Sequence, residues 1–178
     1  SYSRLNSYLR GEGCGAILLK PASAAKPGSI YANVLGASVM SDGTSASITA
    51  PNGSAQEKLI KRALDVSGLK PNDVDYIEAH GTGTALGDPI EVEALAEVFA
   101  ESRSKSQPLM MGAVKSNIGH LEGAAGIAGL IKAVLVLAHE SVPPNAGLEE
   151  LNPLIAKTIQ SHDFPIAFPT EVEPIVRE

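Results

Sequence analysis

The stretch VDYIEAHGTGTALGDPIEVEALAEVFA, residues 74–100, decides the fold. Val74 to Ala79 reads as a short strand that runs into a polar, glycine-rich loop, Glu78-Ala79-His80-Gly81-Thr82-Gly83-Thr84. A helix start follows at once. Asp88 is the expected N-cap, Pro89 falls at the first helical position, and Glu91 falls where it closes a capping box. The helix should run to about Ala100. A second strand, polar loop and helix follow downstream, without an internal repeat of sequence. Leu109 to Val114 is a strand, Lys115-Ser116-Asn117-Ile118-Gly119-His120 is the loop after it, and Gly123 to His139 is a helix read as buried from its composition. Pro143 and Pro144 stop that helix.

Upstream, Ser54 to Gly68 reads as an amphipathic helix. Leu59, Ala63, Leu64 and Val66 share one face, Asn52 or Ser54 supplies the cap, and Gly68 ends it with Pro71 beyond. Cys14 to Leu19 and Ile30 to Met40 are two further strand expectations, separated by the turn-rich Pro21 to Gly28. The order β, β, α, β, α, β, α predicts a layered α/β fold. Residues 1–178 read as a single domain, with an irregular tail over 145–178.

Composition narrows the function classes. The chain has 178 residues, of which 44% are apolar and 19% charged, so it is globular in character. A chain of this length buries roughly 70% of its unfolded surface, enough for a core. The net charge of −6 and the 4% aromatic content argue against gripping nucleic acid, which calls for a basic surface and often stacking rings. The single cysteine rules out a disulfide framework and a multi-cysteine zinc site, and no HExxH is present, so no metal is expected. The apolar run from Gly123 to Ala138 is interrupted by Lys132 and reads as too short to span a membrane. With no N-terminal signal pattern, no membrane association is expected.

In open α/β sheets ligands bind at the carboxyl ends of strands, and both polar loops sit there. His80, Lys115 and His120 are therefore expected to converge although they are distant in sequence. Two histidines can donate hydrogen bonds to one developing oxyanion, and a lysine beside them can hold a carboxylate or tune their protonation. Thr82 and Thr84 offer hydroxyls on a closely approaching backbone. Cys14, between glycines at a strand start, lacks the helix N-terminus or basic neighbour that a reactive thiolate needs. His139 reads as a helix-end dipole partner, and His162 carries no signal. No Gly-Lys-Ser/Thr phosphate loop occurs, which leaves a nucleotide-binding module as a weak third reading.

These residues also carry a resemblance. EAHGTGTALGDPIEVEAL (Glu78 to Leu95) and KSNIGHLEGAAGIAGLIK (Lys115 to Lys132) resemble the two histidine motifs of β-ketoacyl synthases, best those of polyketide synthase ketosynthase domains. RGEGCGAILLK (Arg10 to Lys20) resembles the segment before them, and PPNAGLEELNP (Pro143 to Pro153) the stretch after. The resemblance spans about Leu9 to Pro169. It implies a thiolase-like layered fold, of which this chain would be half of the αβαβα sandwich. It implies decarboxylative Claisen condensation of malonyl-type and acyl thioesters in polyketide or fatty acid biosynthesis. Acyl carrier protein would be the partner and its phosphopantetheine arm the carrier, with no cofactor bound directly. A homodimer and a cytoplasmic setting go with it.

Carried over by resemblance, His80 and His120 would stabilise the enolate formed on decarboxylation, and Lys115 would orient His120. Glu91 would be the carboxylate partner of that lysine, besides capping its helix. Thr82, Thr84 and Asn117 would bind substrate. The family's nucleophilic cysteine lies upstream in an Ala-Cys-Ser-Ser context absent here, and its glycine-rich, Phe-containing loop is also absent. The chain thus reads as the C-terminal part of a ketosynthase, not competent to condense alone. The alternative is a non-catalytic chain-length or dimerisation partner, or a decarboxylase only.

Overall fold

A computed structural model describes residues 2, 8–26, 28–43 and 51–175. In chain order its main elements are α1 (Gly53–Ser67), β1 (Tyr76–Glu78), α2 (Gly87–Phe99), β2 (Leu109–Gly112), α3 (Lys115–Ile118) and α4 (Ala125–His139). After these come β3 (Ser141–Val142), α5 (Pro153–Ser161), β4 (Ile166–Ala167) and β5 (Glu173–Pro174). β1, β2 and β4 form a parallel sheet in that order, with Tyr76 opposite Met110 and Leu109 opposite Ile166. β3 and β5 pair antiparallel.

Side chains alternate across a strand, and here they sort the two helical layers. Ile77, Leu109 and Met111 face the core with Val92, Leu95 and Phe99 of α2, while Ile155 of α5 and Phe164 complete it. Tyr2 is fully buried there, its ring 4.8 Å from that of Phe168. Tyr76, Glu78 and Gly112 lie on the opposite face, against α4. α1 packs on α2, capped by the Asn52 side chain, which accepts from the Ala55 N–H at 3.2 Å. Gly68 closes that helix in the left-handed conformation, as its position predicts.

Several expectations need correction. Among the described residues, Cys14–Leu19 and Ile30–Met40 are not strands of any sheet. The nearest pairing is a bridge between Arg10 and His120, and a strand exists only through hydrogen bonds to another chain segment. Both runs lie over helices instead, Gly15 close to Ile127 and Ile131 of α4, and Gly36 close to Ala63 and Ser67 of α1. α4 is not buried: only Ala125 and Val136 are, while Leu130, Leu135 and Leu137 are exposed. Its composition suits burial all round, but within the described residues it is covered mainly on its β1 and β3 side. Residues Glu122–His139 do meet the length and hydropathy of a membrane span. Lys132 in their middle, however, pairs with Glu78 of β1.

The tail is less irregular than expected. It holds α5, β4 and β5, with Asn152 capping α5 through the Leu154 N–H and Pro153 at its first turn. Asn145 is buried and staples that tail to β2. Its side chain accepts from the Ala113 N–H at 3.1 Å and donates to the Met111 and Pro169 carbonyls.

Candidate active site

The carboxyl ends of β1 and β2 are adjacent in the sheet, so the loops leaving them must meet. They bring the two histidines face to edge, with ring centroids 5.7 Å apart and planes at 88°. His80 is solvent-accessible and His120 half-buried. The Glu122 N–H donates to Nδ1 of His120 at 2.9 Å. A ring nitrogen that accepts must present its lone pair, so the neutral imidazole carries its proton on Nε2. The Tyr8 ring stacks at 5.1 Å on the same imidazole, and its hydroxyl donates to the Glu122 carboxylate.

The first loop is strapped to α2. Glu91 accepts from the N–H groups of His80 and Gly81 at 2.6 and 2.9 Å. Asp88, 2% exposed, accepts from the Gly83 N–H at 3.0 Å. Gly81 has φ of +48°, and a β-carbon there would lie 2.7 Å from that of Ala113 and 2.9 Å from the Tyr2 hydroxyl, so only glycine fits. This corrects the capping expectation. Asp88 and Glu91 both lie inside α2 and bind loop amides upstream, while Thr84 Oγ1 accepts from the Gly87 N–H at 3.0 Å and does the capping. The local signal at Asp88-Pro89 indicated a helix start, but the loop folds back and takes the carboxylates for itself.

Lys115 opens α3, half-buried. Burial lowers its pKa, and the charges of Glu78, Glu91 and Asp88 oppose that, in this order. No carboxylate of the described residues lies within ion-pair distance of it, so Glu91 acts on this lysine by charge at longer range while its oxygens bind the loop amides. Burial also raises the Glu91 pKa, against the two amide bonds that lower it. Thr82 and Thr84 face each other at 3.5 Å between hydroxyls and line, with His80 and Glu91, a cleft of about 650 Å³. Asn117 is exposed on α3, its side chain accepting from the Ser116 hydroxyl. A larger cavity of about 860 Å³ opens near Val74 and Arg103, at the amino end of the strands. Ligands of parallel sheets bind at the other end, which favours the smaller cleft. Cys14 is free and exposed, with no bond to either histidine.

Partial burial, then the charges of Lys115 and His120, lowers the His80 pKa below its ordinary 6.5. His162 behaves oppositely, raised first by its bond to the Thr158 carbonyl and then by Glu97, 3.2 Å from Nε2. Imidazole C–H shifts followed by NMR should therefore place the His80 midpoint below 6.5 and the His162 midpoint above it. The signs for stability differ accordingly. The unfolded chain binds the His80 proton more readily, so that group weakens the fold as pH drops through 6.5. The His162 contribution is full below 6.5 and is lost as pH rises through its raised midpoint. Coincident midpoints would contradict this geometry.

Comparison with known proteins agrees with the geometry. Residues 31–149 match the family model described as β-ketoacyl synthase, C-terminal domain. The chain is 49% identical over 172 residues to highly reducing polyketide synthase 40 of Fusarium mangiferae, covering 96% of this chain and 7% of that protein. It is 53% identical over 152 residues to the hybrid PKS-NRPS synthetase pynA of Aspergillus niger, covering 84% of this chain and 4% of that protein. The ketosynthase from module 6 of the bacillaene synthase of Bacillus subtilis 168 superimposes with a TM-score of 0.74 at 35% identity, over 83% of this chain and 26% of that one. The fold is thus thiolase-like, and the chain spans a small part of the length of these relatives. A histidine pair at adjacent strand ends, a matching domain model and close synthase relatives lead to one conclusion: this chain belongs to the β-ketoacyl synthase family, in the part that forms the C-terminal domain of polyketide synthase ketosynthases.

Proposed function

We propose that this chain is the decarboxylation half of a ketosynthase that performs decarboxylative Claisen condensation on carrier-bound thioesters. The observation that carries the reading is the His80–His120 pair, 5.7 Å apart with Nε2 of His120 left as a donor. Two adjacent imidazoles able to donate N–H bonds suit the oxygen of a malonyl thioester, where negative charge develops as carbon dioxide leaves. The electron pair of the breaking C–C bond moves into the thioester as an enolate, which the two histidines hold until its carbon attacks an acyl thioester, whose C–S bond breaks to release the thiolate.

Lys115 supplies positive potential beside the pair. Thr82, Thr84 and Asn117 are the polar groups along which a phosphopantetheine arm would run, which makes acyl carrier protein the partner. The acyl-accepting thiol is assigned outside the described residues, since Cys14 makes no bond to either histidine and lacks the setting of a reactive thiolate. The exposed runs 12–20 and 30–40 and the outer face of α4 are where the remaining half of the sandwich would pack, in a homodimeric and cytoplasmic enzyme.

The test is carbon dioxide release from malonyl-loaded carrier protein by a condensing domain that contains this chain. Release without added acyl chain, together with product when an acyl chain is supplied, is expected. Release with no condensation under any acyl donor would favour the decarboxylase-only alternative, and neither would favour a chain-length or dimerisation partner.

A further inference from the structure

Behind the histidine pair lies a buried polar cluster that joins the first residue of one histidine motif, Glu78, to the last residue of the other, Lys132. Glu78, the last residue of β1, has a side chain only 9% exposed, and Lys132 of α4 reaches it at 2.9 Å with 11% exposure. The Tyr76 hydroxyl donates to the same carboxylate oxygen. The other oxygen accepts from the Val114 N–H at 2.6 Å. A β-carbon on Gly112 would come within 2.5 Å of the Tyr76 hydroxyl and 2.8 Å of the Lys132 ammonium, so the sheet keeps a glycine where the cluster needs room.

Buried ion pairs are costly to desolvate and are not retained for stability by default. This one has a second connection that a purely structural pair lacks. Val114 immediately precedes Lys115, and its amide is held by Glu78 at the point where α3 begins. The groups that act on the Lys115 ammonium are Glu78 from β1, with Glu91 and Asp88 from α2. His80 from the first loop feels the lysine charge in turn. Glu91 and Asp88 are committed to loop amides.

We propose that Glu78 is a positioning residue for Lys115. Held by Lys132 and Tyr76, it fixes the peptide that launches the Lys115 turn and sets the counter-charge behind the lysine. The inference rests on the condensing-enzyme reading only for its catalytic consequence.

The test separates the two. Glu78→Gln alone leaves Lys132 buried and unpaired, and that variant can fail to fold for this reason. Glu78→Gln combined with Lys132→Met removes both charges and keeps the fold. In the condensing domain that carries this chain, the pH dependence of Lys115 acetylation by acetic anhydride is read by peptide mass spectrometry. Loss of a nearby carboxylate disfavours the ammonium, so the double variant should label at a lower pH. At a fixed pH below the midpoint this amounts to about 3- to 10-fold faster labelling, a shift of roughly half to one unit. The kcat for malonyl decarboxylation should fall about 10-fold, with KM within about twofold of wild type, because the lysine is displaced and the binding groups are not. A double variant that labels and turns over like wild type overturns the assignment. A labelling shift in a domain whose wild type releases no carbon dioxide upholds the placement of Glu78 behind Lys115 and removes the condensing reading instead.

Discussion

Replacing His120 with alanine in a condensing domain that carries this chain should cut malonyl decarboxylation by about 10²- to 10³-fold, the usual loss for one oxyanion donor. The size follows from how little freedom the ring has. Its Nδ1 is occupied by the Glu122 N–H, the Tyr8 ring lies tilted against it at 5.1 Å, and the His80 ring meets it in a T-shaped contact. The remaining N–H is preorganised and needs no rearrangement when charge develops. His120→Asn keeps an N–H donor and should recover part of the loss. His80→Ala should act in the same direction, and the double variant should lose less than the product of the two, since both rings serve one oxygen. Transfer of an acyl group to the external thiol should be affected far less. Equal losses in both half-reactions would mean that the pair holds the domain together and does not stabilise an enolate.

The second large effect concerns assembly. Produced alone, the chain should self-associate and bind a hydrophobic dye strongly. Co-produced with the remainder of a ketosynthase domain, it should elute as a defined complex with most of that dye signal gone. Leu18, Tyr31 and Val39 are 80%, 82% and 91% exposed, and Leu130, Leu135 and Leu137 add the open side of α4. Exposed apolar runs that belong to no sheet among the described residues are templates for pairing with another chain. Sedimentation of the isolated chain as a dye-silent monomer would show that these runs need no cover.

Much of the site was legible because its signals are local. The strand–loop–helix units around His80 and His120 each announce themselves within about 30 residues, and a parallel pairing of their strands is enough to bring the loops together. Asn52, Gly68 and the polar Thr82-Gly83-Thr84 run were readable for the same reason. What escaped was nonlocal. Whether Cys14–Leu19 becomes a strand depends on a neighbour that its own residues cannot specify. Asp88 and Glu91 carry an unmistakable helix-start pattern, yet whether they cap their own helix or a loop doubling back is decided by the Gly81 turn. Glu78 and Lys132 lie on different elements far apart in the chain, and no spacing rule links them. Asn145 looked like the beginning of a tail, although its three bonds to β2 and its surroundings make it a hub. α5 was missed despite Asn152-Pro153, a start signal of the same kind as Asp88-Pro89.

The short bridge between Arg10 and His120 couples the exposed first run to the chemistry. His120 N–H donates to the Leu9 carbonyl at 2.8 Å, and Gly11 N–H donates to the His120 carbonyl at 3.0 Å. The peptide carrying the proton donor is therefore sewn to the first residues of the bare run that continues through Leu18. Whatever steadies that run steadies the imidazole, and whatever lets it fray lets the imidazole drift. Amide exchange at His120 and Gly11 thus becomes a clock for both events.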